Sequence, residues 1–177
     1  AVKVIGKDWV SKDGYLEGEG SGKSADRLVS AVSIGPGDFS IKARLAVVGL
    51  ARSAASFRLG GNNRAIFGFE GAHGAMYVAG PFFGTDPVAG KIGEPAEFIE
   101  DGKPFDLEVT REGDQLRILI DGRLVRQQTV TVGEMGPAGL VPIRATMRVE
   151  HFSAKGNFLP FQQKATGSVN QVSRITM

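Results

Sequence analysis

The stretch that decides the fold is "FDLEVTREGDQLRILIDGRLVRQQTV", Phe105 to Val130. Apolar residues occupy every second position of its first two segments: Phe105, Leu107 and Val109, then Leu116, Ile118 and Ile120. Period-two alternation is typical of a β-strand with one buried face. Gly113 separates the two segments, and Asp121-Gly122 ends the second; Asp-Gly suits the type I′ hairpin turn, whose two central residues both need positive φ. The stretch predicts a three-stranded antiparallel meander.

The same alternation recurs along the rest of the chain, in segments 39–45, 57–59, 67–70, 76–78 and 144–150. No segment of ten or more residues shows the 3.6-residue period of an amphipathic helix. The 25 glycines are spread along the chain, as many short strands with tight turns require. About ten such strands predict an all-β fold, an antiparallel two-sheet jelly-roll sandwich, with a barrel as the competing closure.

The length of 177 residues suits one domain with a sizeable core. We expect the sandwich to occupy residues 1–156, because the alternation fades after that point. Residues 157–177 are polar apart from a few apolar positions near their start, and they are interpreted as a C-terminal extension or linker packing on the sandwich. No run of 18 apolar residues is present, so no membrane span is expected.

Charge and cysteine content exclude some classes of function. The chain has 21 basic and 19 acidic residues, a net charge of +2, which is too small an imbalance to indicate nucleic-acid binding. It has no cysteine, which excludes disulfides and thiolate metal sites. That composition fits a secreted or periplasmic bacterial domain as readily as a cytosolic one.

The segment "EGEGSGKS", Glu17 to Ser24, ends like a phosphate-binding loop. Glu17, however, stands where that motif needs its first glycine, and a carboxylate there opposes an anion. The following segment, 27–35, is rich in β-branched residues instead of forming the required helix. We therefore predict a glycine-rich turn between strands and no nucleotide site.

Few residues indicate catalysis or a metal. The acidic segment 94–101 follows no strand alternation and is interpreted as a solvated loop. His73 and His151 are the two histidines, and neither has metal-ligand spacing to a carboxylate; His151 is expected on the inward face of its strand. No cofactor is expected, and the carboxylates that could hold calcium in loops are Asp13, Asp38 and Asp86.

A collective pattern suggests ligand binding. If the apolar faces point inward, these polar residues fall on outward faces of strands that could be neighbours: Lys42, Arg44, Arg58, Glu70, Tyr77, Arg148 and Glu150. Arginine pairs with carboxylates in a bidentate manner, and tyrosine can stack on a sugar, so one shared face would suit a polar or anionic glycan. The candidate binding residues are Arg44, Arg58, Glu70, Tyr77 and Arg148; an ordinary solvated sheet face is the alternative.

Two neighbouring aromatic residues in the segment "GPFFGTDP" add to this pattern. Phe82 and Phe83 are consecutive, so we expect one in the core and the other exposed as a binding anchor.

The segments "DWVSKDGYLEGEG", "GPGDFSIKARLAV", "SFRLGG", "FGFEG" and "RATMRVEHFSAKG" resemble the concanavalin A-like lectin/glucanase superfamily. More narrowly, they resemble the laminin-G-like modules at the N-terminus of bacterial exo-sialidases and related secreted glycan-degrading enzymes. The resemblance implies a secreted or periplasmic, non-catalytic accessory module that binds glycan beside a downstream catalytic domain. The aspartate boxes and the arginine triad of sialidase propellers are missing from this sequence.

A second resemblance is to the secreted 3-keto-disaccharide hydrolases, which share the sandwich. In that family an Asn-Ser-Gly stretch leading to an Arg, and a Gly-Tyr-Glu stretch, line the concave face. Arg58 and Glu70 match this pattern, while Ser53 and Ala54-Ala55 replace the Asn and the Ser-Gly. A small glycan hydrolase and a structural spacer domain therefore stay open as alternatives to the binding module.

Overall fold

The computed structural model describes residues 2–5, 9–20, 27–30, 32–60, 64–130, 133–160 and 169–172. In chain order its strands are β1 (Val2–Ile5), β2 (Trp9–Lys12), β3 (Tyr15–Glu19), β4 (Arg27–Ser30), β5 (Val32–Val48), β6 (Ala55–Leu59), β7 (Ala65–Glu70), β8 (Ala75–Ala79), β9 (Lys91–Gly93), β10 (Phe105–Glu112), β11 (Gln115–Ile120), β12 (Arg123–Thr129), β13 (Ala138–Val141), β14 (Thr146–Pro160) and β15 (Val169–Val172). The described helical segments are short 3-10 turns: Leu50–Arg52, Gly71–His73 and Pro95–Glu97.

The strands form two antiparallel sheets. Sheet A has the order β15-β1-β4-β13-β6-β7-β8-β9, and sheet B has the order β12-β11-β10-β5-β14-β3-β2. The rings of Phe67 and Phe69, both on sheet A, meet edge to face at 4.9 Å, and Phe69 meets Phe105 of sheet B at 5.8 Å. The Phe69–Phe105 contact crosses the core between the sheets. The predicted two-sheet jelly-roll sandwich is confirmed.

The meander predicted from Phe105–Val130 is confirmed as β10, β11 and β12. At its second turn Asp121 has φ 50° and Gly122 has φ 78°, as a type I′ turn requires. The Asp121 carboxylate accepts a hydrogen bond from the Asp106 backbone N–H at 2.8 Å. Asp121 therefore closes a hairpin, as expected.

A β-bulge in β14 changes which residues face the core. Val149 pairs with Leu45, and His151 pairs with Arg44, so Glu150 is an extra residue. Beyond the bulge His151 shares the outer face with Arg44, and its Nε2 lies 2.8 Å from Ser153 Oγ. The expectation of an inward His151 was wrong, because a one-residue insertion exchanges the two faces of a strand.

The boundary expected after residue 156 falls inside a strand, since β14 continues to Pro160. β15, at Val169–Val172, pairs with β1 within sheet A. The described residues after 156 therefore supply strand to both sheets. In the stretch that resembles a phosphate loop, Glu17 lies in β3, whereas Lys23 and Ser24 lie outside the described residues.

None of the helical segments described has the length and apolar character needed to cross a membrane.

Candidate functional site

The residues expected on a single face lie on two faces. Arg58, Glu70 and Tyr77 are on β6, β7 and β8 of sheet A. Sheet B carries the others: Lys42, Arg44, Arg148 and Glu150. Because the sheets pack face to face, their outer surfaces point in opposite directions. The expectation of a shared face was wrong, because alternation shows which side chains leave the core but not which sheet a strand joins.

The outer face of sheet B carries a row of ion pairs, the sheet B ladder, made of Glu17, Arg44, Asp106, Arg148 and Glu150. Arg44 contacts Asp106 at 3.2 Å and Glu150 at 2.9 Å, and the Asp106 hydrogen bond raises the pKa of the Arg44 guanidinium. Arg148 contacts Glu17 at 3.0 Å. Both arginine side chains are 44% exposed. Each predicted binding cation on this sheet already has a carboxylate partner, as in an ordinary surface ion pair.

On sheet A, Tyr77 and Glu70 form a partly buried hydrogen-bonded pair. The Tyr77 hydroxyl donates to Glu70 Oε1 at 3.1 Å, and Tyr77 is only 5% exposed although it faces away from the core. Burial raises the pKa of the Tyr77 phenol, and the negative charge of Glu70 raises it further, while Arg58 lowers it. Tyr77 is therefore held neutral, as a hydrogen-bond donor to Glu70.

The position of the Tyr77 ring depends on a glycine in the neighbouring strand. Gly68 of β7 pairs directly with Tyr77 of β8. A Cβ built on Gly68 would lie 2.2 Å from Tyr77 Cε1 and 2.4 Å from Cζ. The ring thus lies flat over the Gly68 backbone, and any larger residue at this position would displace it.

Arg58 and Ser56 complete a group that we name the sheet A cluster: Ser56, Arg58, Glu70 and Tyr77. Arg58 Nε donates to Ser56 Oγ at 2.9 Å, and Arg58 is 8% exposed. Ser56 pairs with Gly68, which places it in the same cross-strand row as Tyr77. The cluster brings together three of the five predicted residues.

Sequence reasoning missed Ser56 and Gly68. The period of two does place Ser56 on the same face as Arg58, but Ser56 was not among the candidate binding residues. Gly68 could not have been found in this way, because its role depends on the register between β7 and β8.

The exposed aromatic anchor expected at Phe82 or Phe83 is absent. Both side chains are buried in the hydrophobic core. The Arg64 guanidinium lies over the Phe82 ring at 5.0 Å, and the Phe83 carbonyl accepts a hydrogen bond from the Gln128 amide. That expectation was wrong, because this segment folds back through turns that bury both rings.

The acidic loop 94–101 has structural roles. Glu94 and Glu97 form a reciprocal capping box around the Pro95–Glu97 turn. The Asp101 carboxylate accepts hydrogen bonds from the backbone N–H groups of Gly49 at 2.9 Å and Leu50 at 3.3 Å. These hydrogen bonds stabilise the loop and hold it against the backbone of Gly49 and Leu50.

The described part of the chain holds no group of three or more His, Cys, Asp or Glu residues arranged to bind a metal ion. Two of the calcium candidates bond the backbone: Asp38 Oδ1 accepts from Gly113 N–H at 2.8 Å, and Asp86 Oδ1 accepts from Val88 N–H at 2.9 Å. The expectation of no cofactor, with calcium as the alternative, stays a prediction.

No protein-family model and no curated protein sequence matches this chain. Solved structures with the same fold include the carbohydrate binding module CBM66 from Bacillus subtilis, with a TM-score of 0.62, 18% identity, and coverage of 88% of this chain and 95% of that one. An alginate lyase from Corynebacterium sp. has a TM-score of 0.57 at 12% identity, with 82% and 78% covered. A sialidase has a TM-score of 0.57 at 9% identity, and the match covers 80% of this chain but 15% of the sialidase. These neighbours share the two-sheet jelly-roll fold of this chain.

Proposed function

We propose that this chain is a non-catalytic carbohydrate-binding or accessory module of a secreted, sialidase-like glycoside hydrolase, and that the sheet A cluster contacts the glycan. The main support is a pair of hydrogen bonds on the outer face of sheet A, one between Tyr77 and Glu70 and one between Arg58 and Ser56. These bonds hold the polar groups in place before a ligand arrives, which lowers the entropy cost of binding.

The chemistry of the cluster suits a sugar. The Glu70 side chain is partly exposed, and its second carboxylate oxygen can accept hydrogen bonds from sugar hydroxyl groups. The Arg58 guanidinium supplies donors of fixed geometry, which suit ring oxygens, hydroxyl groups and carboxylates. Glu70 is therefore the residue that we expect to contact the ligand most directly.

The structural neighbours support a glycan as the ligand class. Their names are those of a carbohydrate binding module, an alginate lyase and a sialidase. Because one fold hosts many functions, the fold raises the expectation of a glycan ligand without naming the sugar.

The geometry favours binding over catalysis. A tyrosine that abstracts a proton needs a pKa near the working pH, whereas the pKa of Tyr77 is raised. Glycoside hydrolysis usually needs two carboxyl groups across the scissile bond, and the sheet A cluster holds one, Glu70. The rival function is a small glycan hydrolase acting through Glu70 and Arg58.

A glycan array probed with the 177-residue chain tests the binding proposal. The wild type should bind at least one neutral or acidic glycan, and Glu70→Gln should bind it about tenfold or more weakly, because a charge-assisted hydrogen bond is lost. Arg148→Ala is the matched control on sheet B and should bind like the wild type. Wild-type binding at background level, or equal loss in both variants, would refute the proposal.

Release of a sugar product by the same chain distinguishes the rival functions. Product that forms with the wild type and disappears with Glu70→Gln would establish the hydrolase in place of the binding module. If the chain neither binds a glycan nor releases a sugar product, the structural spacer is the remaining alternative.

The accessory role has its own test, which is the coding sequence that follows Met177. A propeller-type catalytic domain encoded there, in a gene product recovered from the periplasm or medium, would support the proposed partner and location. A stop codon at that point would contradict the downstream catalytic domain.

A further inference from the structure

A groove of about 770 Å³ is lined by none of the sheet A cluster residues, and its walls include Glu19, Gly20, Arg52, Ala72, Arg144 and Thr146. We name it the end groove. Its volume falls in the range of about 300–1,000 Å³ that is usual for small-molecule sites. Glu19 pairs with Thr146, and Thr146 pairs with Val48, so these residues form one row across sheet B. Two residues along β14, on the same face, Arg148 forms its ion pair with Glu17.

Among the residues that the structure describes, the end groove contains two arginines that pair with no other side chain. Arg44 and Arg148 of the sheet B ladder are both held by carboxylates. By contrast, within the described ranges neither the Arg52 nor the Arg144 guanidinium forms an ion pair or hydrogen bond, and Glu19 is not paired with either. The groove therefore presents two uncompensated positive charges and one uncompensated carboxylate.

Arg144 is held in an unfavourable backbone conformation. Ala145 N–H donates to the Pro142 carbonyl at 2.8 Å, closing a four-residue turn in which Arg144 is third. Its φ is 54°, in the left-handed region where the third position of a type II turn favours glycine or asparagine. Residues kept in such conformations cluster at functional sites, where the rest of the fold compensates for the strain.

The walls of the end groove are tied together by backbone hydrogen bonds. Gly20 N–H donates to the Ala145 carbonyl at 2.9 Å, and Ala54 N–H donates to the Ile143 carbonyl at 2.9 Å. A Cβ on Gly20 would lie 2.1 Å from the Pro142 carbonyl oxygen, so the close approach of β3 to the Arg144 turn requires glycine. The two arginines thus extend from a preorganised backbone frame.

A neighbouring groove of about 410 Å³ has the opposite charge. It shares Ala51 with the end groove, and its rim carries Glu94, Asp101 and Glu100, of which Glu100 is paired with Lys103 at 3.7 Å. An anionic ligand is repelled there and attracted to the arginines, so the charge distribution across the Leu50–Arg52 turn selects the end groove for anions.

We infer that the end groove binds a carboxylate-bearing saccharide. The Arg52 and Arg144 guanidinium groups pair with the sugar carboxylate, and the Glu19 carboxylate accepts hydrogen bonds from sugar hydroxyl groups. None of the residues of the sheet A cluster lines this site. Experiments can therefore support or contradict binding at the end groove independently of the proposed function.

Titration calorimetry with a uronic-acid oligosaccharide tests the inference. The carboxyl-reduced oligomer, in which each carboxylate is replaced by a primary alcohol, should bind at least tenfold more weakly. Added salt should weaken the uronate complex, because an ion pair at a solvent-exposed groove is screened. Equal affinity for the two oligomers, or no uronate binding by the wild type at millimolar ligand, would overturn the inference.

The variant Arg144→Gly distinguishes a loss of ligand affinity from a loss of stability. Glycine relieves the left-handed strain, so the melting temperature should rise by about 2–4 °C, while uronate affinity should fall at least tenfold. Arg144→Lys keeps the charge and should retain more affinity than Arg144→Gly. A rise in melting temperature with unchanged affinity would overturn the assignment of Arg144.

Two further variants distinguish this site from the sheet A cluster. Glu70→Gln and Arg148→Ala should leave uronate affinity unchanged, since neither residue lines the end groove. If Glu70→Gln abolishes uronate binding and Arg144→Gly does not, the acidic sugar binds the sheet A cluster, and the end groove assignment is wrong.

Discussion

The two outer faces of the sandwich use similar residues in different ways. On sheet A, Arg58 and Tyr77 are 8% and 5% exposed; the Arg58 hydrogen bond to Ser56 is buried and that of Tyr77 to Glu70 is partly buried. On sheet B, Arg44 and Arg148 are 44% exposed and form surface ion pairs. The same strand alternation thus produces a buried polar cluster on one face and a solvated ion-pair ladder on the other.

The difference teaches that burial, not residue type, decides what an outward polar residue contributes. A buried polar group that loses its partner carries the full cost of desolvation. An exposed ion pair contributes little, because water and salt compensate each charge. Substitutions on the two faces should therefore differ in effect, even where the residue removed is the same.

Replacing a buried arginine should have the largest effect. Arg58→Ala is expected to lower the free energy of unfolding by about 2–3 kcal/mol, since Ser56 and the Tyr77–Glu70 pair lose a charged neighbour in a buried setting. Urea unfolding measures this change. Arg44→Ala is the matched control on sheet B and should cost less than about 1 kcal/mol. Equal losses for the two variants would remove the distinction between the faces.

A substitution that crowds the Tyr77 ring should have the second-largest effect on stability. Gly68→Ala is expected to destabilise the chain by about 1–3 kcal/mol, because the added methyl overlaps the ring. Gly133→Ala is the control, since a Cβ there has only Pro36 Cγ within 4 Å, at 4.0 Å. If the ring is the cause, the loss should shrink when Gly68→Ala is made in a Tyr77→Ala background; a loss of unchanged size would point elsewhere.

The Tyr77 hydroxyl should make stability depend on alkaline pH. Its folded-state pKa is raised, so above about pH 10 the unfolded chain releases this proton while the folded chain keeps it. Wild-type stability should therefore fall by up to about 1.4 kcal/mol per pH unit in that range. Tyr77→Phe should cost about 1 kcal/mol at neutral pH and show a flatter alkaline decline. Parallel declines in urea titrations from pH 8 to 11 would contradict a buried, neutral Tyr77.

The smallest effect is expected on sheet B. Arg148→Ala should cost about 0.2–1 kcal/mol, since its ion pair with Glu17 is exposed and its guanidinium lies 5.9 Å from the Tyr15 ring centroid. A double-mutant cycle with Glu17→Gln at low salt and at 1 M salt measures the coupling, which should decrease with salt. A coupling above about 2 kcal/mol would show that this face also acts as a buried cluster.

Local signals predicted the fold well. The alternation and the Asp121-Gly122 turn are properties of neighbouring residues, so the meander could be predicted from Phe105–Val130 alone. The bulge at Glu150 has no comparable local signal, and it reversed the predicted facing of His151. Phe82 and Phe83 look alike in sequence, and only the path of their loop shows that both are buried.

The candidate site could be predicted in part. Arg58, Glu70 and Tyr77 were identified as outward polar residues, and they do come together. Their separation from Arg44 and Arg148 could not be predicted, because sheet membership depends on pairings between distant segments. The end groove was missed for the same reason: Arg52 and Arg144 are 92 positions apart (144 minus 52), and they line one cavity only after the strands pair.

An all-β chain with apolar and polar faces on most strands is predictable from the residues alone, because those features follow from the two-residue period and from turn chemistry. Which polar residues are buried, which are paired and which share a face emerges only when the strands have assembled. These properties depend on register, bulges and sheet order, which join residues far apart in the chain. Gly68 shows the reason most directly, since its importance exists only because Tyr77 lies across it.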